Sequence, residues 1–327
     1  MVVAFSVGAC ESKKESKRAP NKEVAAKPDK PAKRTVKTDQ TTKTDPSASA
    51  VDPLSVDDIA KASGTKAKEV SDGVVRIGWG RTKVKTTVDG MAFPPAAGLG
   101  SWAAFAPVGG GAMVMGDTVV FQDEINPAID AAFAHGLKIT ALHNHFVFDD
   151  PQVYFMHIGG VGDPVKLAAG VKAMWDAIKA VRKAAPKPAR TFPGPIVKPG
   201  KLDVAKLAAI TKLKAAAKPG GVVKMVVERK ATMRGVDFGG NMGLTTWAAF
   251  AGDDALASID GDVAMTAKEV QPVLRALRAA KINVVALHNH MIGETPAYYF
   301  VHYWGKGPAA ELARGFRAVL DAQAKVK

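Results

Sequence analysis

Three features are scarce or missing in this sequence, and each absence excludes a class of protein. The chain has one cysteine, Cys10, among 327 residues, so no disulfide framework can hold it together. No segment approaches 18 consecutive apolar residues, which argues against a membrane-spanning helix. No basic stripe with interleaved aromatic residues is present, so we do not expect nucleic acid as a partner.

The composition that remains is that of a soluble globular protein. Hydrophobic residues make up 47% of the chain and charged residues 23%, and the length suits two domains of ordinary size. The formal net charge is +14, but residues 11–53 hold eleven Lys and Arg against seven Asp and Glu, which is +4 of that total. The rest is scattered, which indicates solubility and attraction to anionic surfaces rather than a specific polyanion.

The surroundings of Cys10 resemble the end of a bacterial lipoprotein signal peptide. A short apolar run with small residues precedes the cysteine, and a polar, low-complexity tract follows it. We therefore expect residues 1–10 to be a signal-peptide remnant, Cys10 to be lipidated and residues 11–53 to be a disordered tether. This predicts a cell-envelope protein, on the periplasmic or extracellular face, that contacts membrane only through its lipid anchor. The alternative is a frayed N-terminus with an incidental cysteine.

An internal duplication organises the rest of the chain. Residues 98–162 align without a gap on residues 243–307, with 25 identities in 65 positions. Two copies at this spacing indicate duplicated domains rather than a solenoid. We predict a first repeat domain over 54–182, a Pro/Lys-rich linker over 183–201 and a second repeat domain over 202–327.

The pattern within each copy predicts an α+β fold, with a mostly antiparallel sheet and flanking helices in each of two tandem domains. In the first copy, we expect helices over 54–62, 124–135 and 165–181. Residues 202–216 should form a helix in the second copy, and Thr266 should open the next one as part of a capping box. Strands are expected at the segments rich in β-branched and aromatic residues, which are 74–78, 82–88, 101–106, 112–121, 137–146 and 153–158.

Six of the seven histidines fall in two copies of one pattern. In the first copy His143 and His145 lie at the end of an apolar strand, where residues i and i+2 share a face. A turn then brings back a second strand that carries His157. Three imidazoles leave an open position on a zinc-like ion, as in catalytic sites. We therefore predict a divalent-metal site in each repeat, with zinc the expected metal, and with copper, iron and nickel as alternatives. The ligands of the second site are His288, His290 and His302.

Two other interpretations of the histidines stay open at this stage. They could bind a ligand through hydrogen bonds, or they could be structural residues preserved by a recent duplication. A cupin is a rival fold, because His-x-His followed by Asp149, or by Glu294 in the second copy, matches the front of its metal motif. The seventh histidine, His135, is expected to be structural at a helix C-terminus.

Other paired positions carry weaker predictions. Glu124 and Glu269 are candidate catalytic acid–base groups or a fourth ligand, with helix capping as the alternative. Asp117 and Asp262 follow a glycine, which is typical of a turn, and a supporting role at the metal is the alternative.

The copies differ directly after the third histidine. In the first copy His157 is followed by Ile158, Gly159 and Gly160, and the two glycines leave the backbone accessible. In the second copy we expect Tyr303 and Trp304 to place two bulky rings next to His302. We therefore expect the two sites to differ in function, with the first as the reactive one.

Several motifs together resemble the LppY/LpqO family of bacterial lipoproteins. They are Gly-Leu-Gly-Ser-Trp-Ala-Ala-Phe (98–105), Val-Met-Gly-Asp (114–117), Ala-Leu-His-Asn-His (141–145) and Met-His-Ile-Gly-Gly-Val-Gly-Asp-Pro-Val-Lys-Leu-Ala (156–168). The resemblance spans about residues 54–324 and implies an exported, lipid-anchored protein, but no reaction. About fifteen residues per copy are also similar to acetolactate decarboxylase and to the plant-and-prokaryote conserved domain. That similarity implies zinc as cofactor.

Together these features predict an exported lipoprotein with a three-histidine divalent-metal site in each repeat. It would act as a metal-dependent enzyme on a small-molecule, polar or carbohydrate-like substrate. The alternative is a non-catalytic envelope protein that binds a metal or a small ligand.

Overall fold

The computed structural model describes residues 52–326. The predicted signal-peptide remnant, the lipidation site at Cys10 and nearly all of the predicted tether lie outside the described residues. Within them, the duplicated part of the chain forms one compact unit.

Each repeat contributes three helices to this unit. The helices are α1 (Val56–Ser63), α2 (Ile125–Ala134), α3 (Pro164–Ala184), α4 (Val204–Thr211), α5 (Val270–Ala279) and α6 (Ala309–Ala324). Short 3-10 turns lie at Pro95–Ala97, Pro219–Gly221 and Gly240–Met242.

Strands of the first repeat are β1 (Ala67–Glu69), β2 (Val75–Gly80), β3 (Thr87–Val88), β4 (Met91–Ala92), β5 (Gly100–Val108), β6 (Gly111–Phe121), β7 (Lys138–Asn144), β8 (Asp149–Asp150) and β9 (Val153–Gly162). Strands of the second repeat are β10 (Ala215–Lys218), β11 (Val222–Glu228), β12 (Ala231–Met233), β13 (Val236–Phe238), β14 (Thr245–Gly252), β15 (Ala257–Thr266), β16 (Asn283–His288) and β17 (Tyr298–Gly307).

The two repeats share one twelve-stranded sheet, in the order β1-β2-β5-β6-β9-β7-β16-β17-β15-β14-β11-β10. Neighbouring strands in it are antiparallel throughout. The α+β prediction is therefore confirmed, and so is the mostly antiparallel sheet in each repeat. The sequence did not predict that the two sheets would join edge to edge. Two small sheets, β4-β3-β8 and β12-β13, lie beside the large one.

One face of the large sheet is covered by the helices, and we call it the helix face. Its apolar residues form a single buried cluster that runs through both repeats, from Ile59 of α1 to Phe316 of α6. Alternation along a strand sends every second side chain to the other face. That other face, which we call the site face, carries two small apolar clusters among the described residues. One surrounds Phe155 in the first repeat and the other surrounds Phe300 in the second.

The repeats meet at a seam between β7 and β16, where Leu142 pairs with Leu287 in antiparallel register. Equivalent side chains extend this short pairing on its two sides. The Asn126 side chain of α2 accepts a hydrogen bond from the Val284 backbone N–H at 2.9 Å. The Gln271 side chain of α5 accepts from the Ile139 N–H and donates to the Ile139 carbonyl. The seam is therefore held together by the same positions of both copies.

Two local predictions were wrong, and the physical reasons differ. Residues 82–88 were expected to form a strand, but only Thr87–Val88 is extended, and it pairs with β4 and β8 outside the large sheet. The helix expected over 202–216 ends at Thr211, because Lys212 adopts a left-handed backbone with φ 57°. Apolar residues alone do not distinguish a buried strand from the end of a helix.

Helix starts were predicted with mixed success. Asp163 caps α3 as expected, since its side chain accepts from the Lys166 N–H and Pro164 occupies the first turn. The capping box at Thr266 was wrong, because Thr266 ends β15 and helix α5 starts at Val270. The Glu269 side chain still accepts from the Thr266 N–H at 2.7 Å.

Residues 185–203 connect the repeats without a helix or strand of their own, but they are fixed to the protein. Lys306 on β17 donates to the carbonyls of Phe192, Gly194 and Pro195. Among the described residues, no helix is both long and apolar enough to cross a membrane.

Candidate functional site

The six histidines of the duplicated pattern belong to one face of the sheet. In the first repeat Trp102, Asp117, His157 and Ala141 are cross-strand partners on β5, β6, β9 and β7. Cross-strand partners point to the same face, and this face is opposite the helices. A bulge in β7 between Ile139 and Ala141 shifts the register. It turns Ala141 and His143 to the site face while Ile139 and Leu142 stay in the core.

The second repeat reproduces this arrangement. Trp247, Asp262, His302 and Ala286 form the equivalent row, and β16 has the same bulge between Val284 and Ala286. Because a one-residue register shift moves every later side chain to the opposite face, the two bulges determine where the histidines lie. We call His143, His145, His157 and Asp117 the first cluster. The second cluster consists of His288, His290, His302 and Asp262.

The second cluster brings its three histidines close together. One nitrogen from each of His288, His290 and His302 lies within 4.8 Å of the others, a spacing that could hold a metal ion. His302 Nδ1 is 3.2 Å from the Gly261 carbonyl. When Nδ1 carries the proton and donates to that carbonyl, Nε2 is left as the metal-binding nitrogen. The side chain of His290 is about one third exposed, so the cluster is accessible from solvent.

The first cluster is more open. The His143 ring lies between the other two, with ring centroids 5.1 Å from His145 and 5.1 Å from His157. His157 leans toward Asp117, and its Nε2 is 3.9 Å from the carboxylate. Within residues 52–326, only the second cluster meets the 4.8 Å spacing for three donors.

In each repeat a phenylalanine positions the second histidine along the chain, which is His145 in the first repeat and His290 in the second. His145 stacks on Phe155 with ring centroids 3.3 Å apart, and His290 stacks on Phe300 at 3.5 Å. Each phenylalanine belongs to the small apolar cluster on its side of the site face. The histidine that follows the end of the strand is thus held by ring packing rather than by strand pairing.

Asp117 and Asp262 lie in the middle of β6 and β15, so the expectation of a turn was wrong. Both residues are mostly buried, and one carboxylate oxygen of each, Oδ1, has no hydrogen-bond partner among the described residues. The other oxygen of Asp262 is 3.5 Å from His290 Nε2. A buried carboxylate oxygen without a hydrogen-bond partner is costly, and the same cost recurs at equivalent positions of both repeats.

Burial shifts the titration of both clusters. Burial raises the pKa of Asp262 to about 6, while the nearby His302 opposes this shift. The pKa of Asp117 is also raised by burial, and the histidines of the first cluster oppose it. Burial lowers the pKa of His290 to about 4, and repulsion from His288 and His302 adds to this. The pKa values of His145 and His288 are lowered for the same reason.

Glu124 and Glu269, the predicted acid–base residues, have other partners. The fully buried Glu124 accepts two hydrogen bonds from Arg81, at 2.8 and 2.7 Å, and one from the Phe121 N–H. Arg182 is a second cation 2.7 Å from it. Glu269 accepts from Arg229 through both oxygens at 3.0 Å. Both carboxylates are already paired with arginines. These contacts do not favour the prediction that Glu124 and Glu269 act as acid–base groups at the histidines. Sequence reasoning missed the arginines because they lie far from the glutamates along the chain.

The acidic residues that suggested a cupin have a local role instead. Asp149 accepts from the Val153 N–H at 2.6 Å, and Glu294 accepts from the Tyr298 N–H at 2.8 Å. Both fix the turn that leads into the strand with the third histidine. The open sheet with helices on one face also excludes the double β-barrel of a cupin. His135 ends helix α2, as expected, with Nδ1 2.9 Å from the Ala131 carbonyl.

The two rings expected beside His302 point to different faces. Tyr303 is buried in the helix-face core, where its hydroxyl donates to the Trp247 carbonyl, so its expected place at the site was wrong. Trp304 is on the site face, where it lines a cavity of about 500 Å³ under the linker together with Phe192 and Val197. The copies therefore differ in what covers the sheet beyond the third histidine.

Fold and site together define an α+β protein of two fused repeats with a histidine–aspartate cluster in each. The chain belongs to the family described as Domain of Unknown Function (DUF1259), which matches residues 57–177 and 205–322. Membership of the narrower LppY/LpqO family of lipoproteins stays a prediction. A search of the curated proteins finds no relative that matches this chain.

Several solved structures are distantly similar. Ethanolamine utilization protein EutL from Leptotrichia buccalis C-1013-b is 11% identical, with 64% of this chain and 81% of that chain covered and a TM-score of 0.20. EutL from Clostridium perfringens is 13% identical over 65% and 80%, with a TM-score of 0.19. EtuB from Clostridium kluyveri is 10% identical over 79% and 90%, with a TM-score of 0.19. Likeness at this level carries no argument about the function or assembly of this chain.

Proposed function

We propose that the protein binds a divalent metal ion in each repeat, through three histidines and one aspartate. The observation that carries this proposal is the orphaned oxygen of Asp117 and of Asp262, buried beside three imidazoles in both copies. A metal ion would supply the missing partner, because a buried carboxylate must be paired, protonated or ligated. Imidazole and carboxylate donors suit zinc.

The proposed activity is metal-dependent catalysis on a small polar or carbohydrate-like substrate. A bound zinc-like ion supplies Lewis acidity or an activated water at neutral pH. The rings of His157 and His290 are about one third exposed, so a substrate can approach from the site face. Asp117 and Asp262, rather than Glu124 and Glu269, are the carboxylates that face the histidines, and we assign them as metal ligands.

A second candidate function is metal or ligand binding without catalysis. The aspartate in each cluster favours it, because it would be a fourth protein ligand. Four protein ligands fill a tetrahedral zinc site, which is typical of structural sites. The catalytic proposal therefore requires that the ion accept a further ligand from the solvent side.

Cobalt spectroscopy tests the metal proposal and separates the two candidates. Titration of metal-free protein with Co²⁺ should give visible absorption typical of histidine ligands at both clusters. Asp262→Asn should weaken binding at the second cluster about 10–100-fold, while Asp260→Asn, an adjacent carboxylate on the same strand, should not. Azide should shift the absorption bands if a coordination position is open, and should leave them unchanged if the site is closed. Absence of specific Co²⁺ binding contradicts the proposed metal sites and, with them, metal-dependent catalysis.

We also propose that Cys10 carries a lipid anchor and holds the protein at the cell envelope. The support is the apolar run before this single cysteine and the polar tract after it. Metabolic labelling with a palmitate analogue should mark the wild-type protein in the membrane fraction. Cys10→Ser should lose both the label and the membrane association. Recovery of unprocessed, unlabelled wild-type protein in the soluble fraction would contradict the anchor.

A further inference from the structure

The two histidine clusters open on the same side of the molecule. All helices of both repeats pack on one face of the continuous sheet, and the histidines of both repeats lie on the other. This follows from the seam, where β7 and β16 pair antiparallel within one sheet. Equivalent strands that pair in this way are related by a twofold axis perpendicular to the sheet, and rotation about that axis keeps each face on its own side. The two clusters therefore face the same solvent region.

The register at the seam places the clusters next to each other. Leu142 pairs with Leu287, so the flanking residues His143 and His288 are diagonal neighbours on the site face. Diagonal neighbours in an antiparallel pair are about 7–8 Å apart. The first cluster lies over β9 and β7, and the second over β16 and β17. From strand spacing and rise per residue, their centres are about 10–12 Å apart.

The surface between the clusters is small and uncharged. Ala141 and Ala286 lie between the flanking histidines, and both are partly exposed. The small apolar clusters of this face include Phe93 in the first repeat and Phe238 of β13 in the second. The surface that joins the two histidine clusters is therefore formed by two small, uncharged side chains.

We propose that the two clusters form one bipartite site, which binds a single ligand with an oxygen-donor group at each end and an uncharged middle. This inference rests on the proposed metal at each cluster. Carboxylates are the simplest such donors, and each would fill the solvent-side position of one metal ion. Two ends held at once bind more tightly than either alone, with the largest gain when the ligand length matches the distance between the sites.

The test uses the full chain loaded with Co²⁺ and a series of straight-chain dicarboxylates from succinate to sebacate. We expect one dicarboxylate per chain, with an affinity maximum at intermediate length. At that maximum the dicarboxylate should bind about 100-fold more tightly than the monocarboxylate of equal length. The double variant Ala141→Leu, Ala286→Leu should keep both metal ions and lose this gain. The control Ala104→Leu, Ala249→Leu changes equivalent residues on the same face, farther from the seam, and should keep it.

A second measurement does not depend on how the variants fold. With Cu²⁺ at both clusters of the wild-type chain, the magnetic dipolar coupling should give a metal–metal distance of about 10–12 Å. Two bound ions more than about 20 Å apart, roughly twice the strand-based spacing, overturn the bipartite site. Two dicarboxylates per chain with no dependence on length overturn it as well. Either result leaves the proposed metal centres standing, whereas failure to bind any metal overturns both proposals.

Discussion

Acidic residues that recur in both repeats differ in role according to where the fold places them. Asp117 and Asp262 face the histidines with an orphaned oxygen, whereas Glu124 and Glu269 are neutralised by arginines. All four are acidic residues that the duplication repeats at constant spacing. Repetition in both copies therefore did not distinguish the aspartates, which face the site, from the glutamates, which stabilise the fold.

Replacement of Glu124 should destabilise the protein without removing metal. Glu124→Gln leaves Arg81 and Arg182 without their shared buried anion, and loss of one partner in a buried pair costs about 3–5 kcal/mol. Glu269→Gln should cost less, because the side chain of its partner Arg229 is 22% exposed. Urea unfolding measures both differences, and metal analysis checks the site. Loss of metal from a folded Glu124→Gln protein would contradict a purely structural role.

At the level of strands and turns, local features could be predicted from the sequence, whereas contacts between distant residues could not. The strand that carries His143 was predictable from its local apolar pattern, whereas His145 follows the end of that strand and is positioned by Phe155 instead. The bulges before Ala141 and Ala286 were not predictable, because the extra residue carries no composition signal. The partners Arg81 and Arg229, and the stacking of His145 on Phe155, depend on residues brought together only by the fold.

The seam between β7 and β16 gives a prediction for one side chain. Asn126→Ala removes the acceptor for the Val284 N–H, and a buried donor without a partner costs about 1–3 kcal/mol. Unfolding should shift by that amount, and the Val284 amide should exchange with solvent faster than before. The control is Asn241→Ala at an exposed position, which should change stability by less than about 0.5 kcal/mol. Unchanged exchange at Val284 would show that Asn126 does not hold the seam.

On the scale of the whole molecule, duplication produced one sheet with two clusters on one side. The sequence predicted the two repeats and the α+β class, because both are encoded within a copy. The joining of the copies was not predictable, since it depends on edge strands that read like any other apolar strand. The joining of the copies also matters for function, because a molecule that reaches one cluster is also close to the other.

The two clusters differ in compactness, which bears on the expectation that they differ in function. The second cluster meets the 4.8 Å spacing for three donors, and the first does not. The second should therefore bind metal more tightly, because its histidines need less rearrangement to reach coordination distance. The predicted reactivity of the first cluster stays a prediction, and its openness is compatible with substrate exchange.

Metal content of the full chain and three variants tests the central claim most directly. Protein saturated with zinc and then freed of excess should hold two ions per chain in the wild type. His145→Ala and His290→Ala should each hold one, because neither cluster takes a ligand from the other, and the double variant should hold none. His135→Ala, a histidine outside both clusters, should keep two. Two ions retained by the double variant, or none bound by the wild type, would contradict the account.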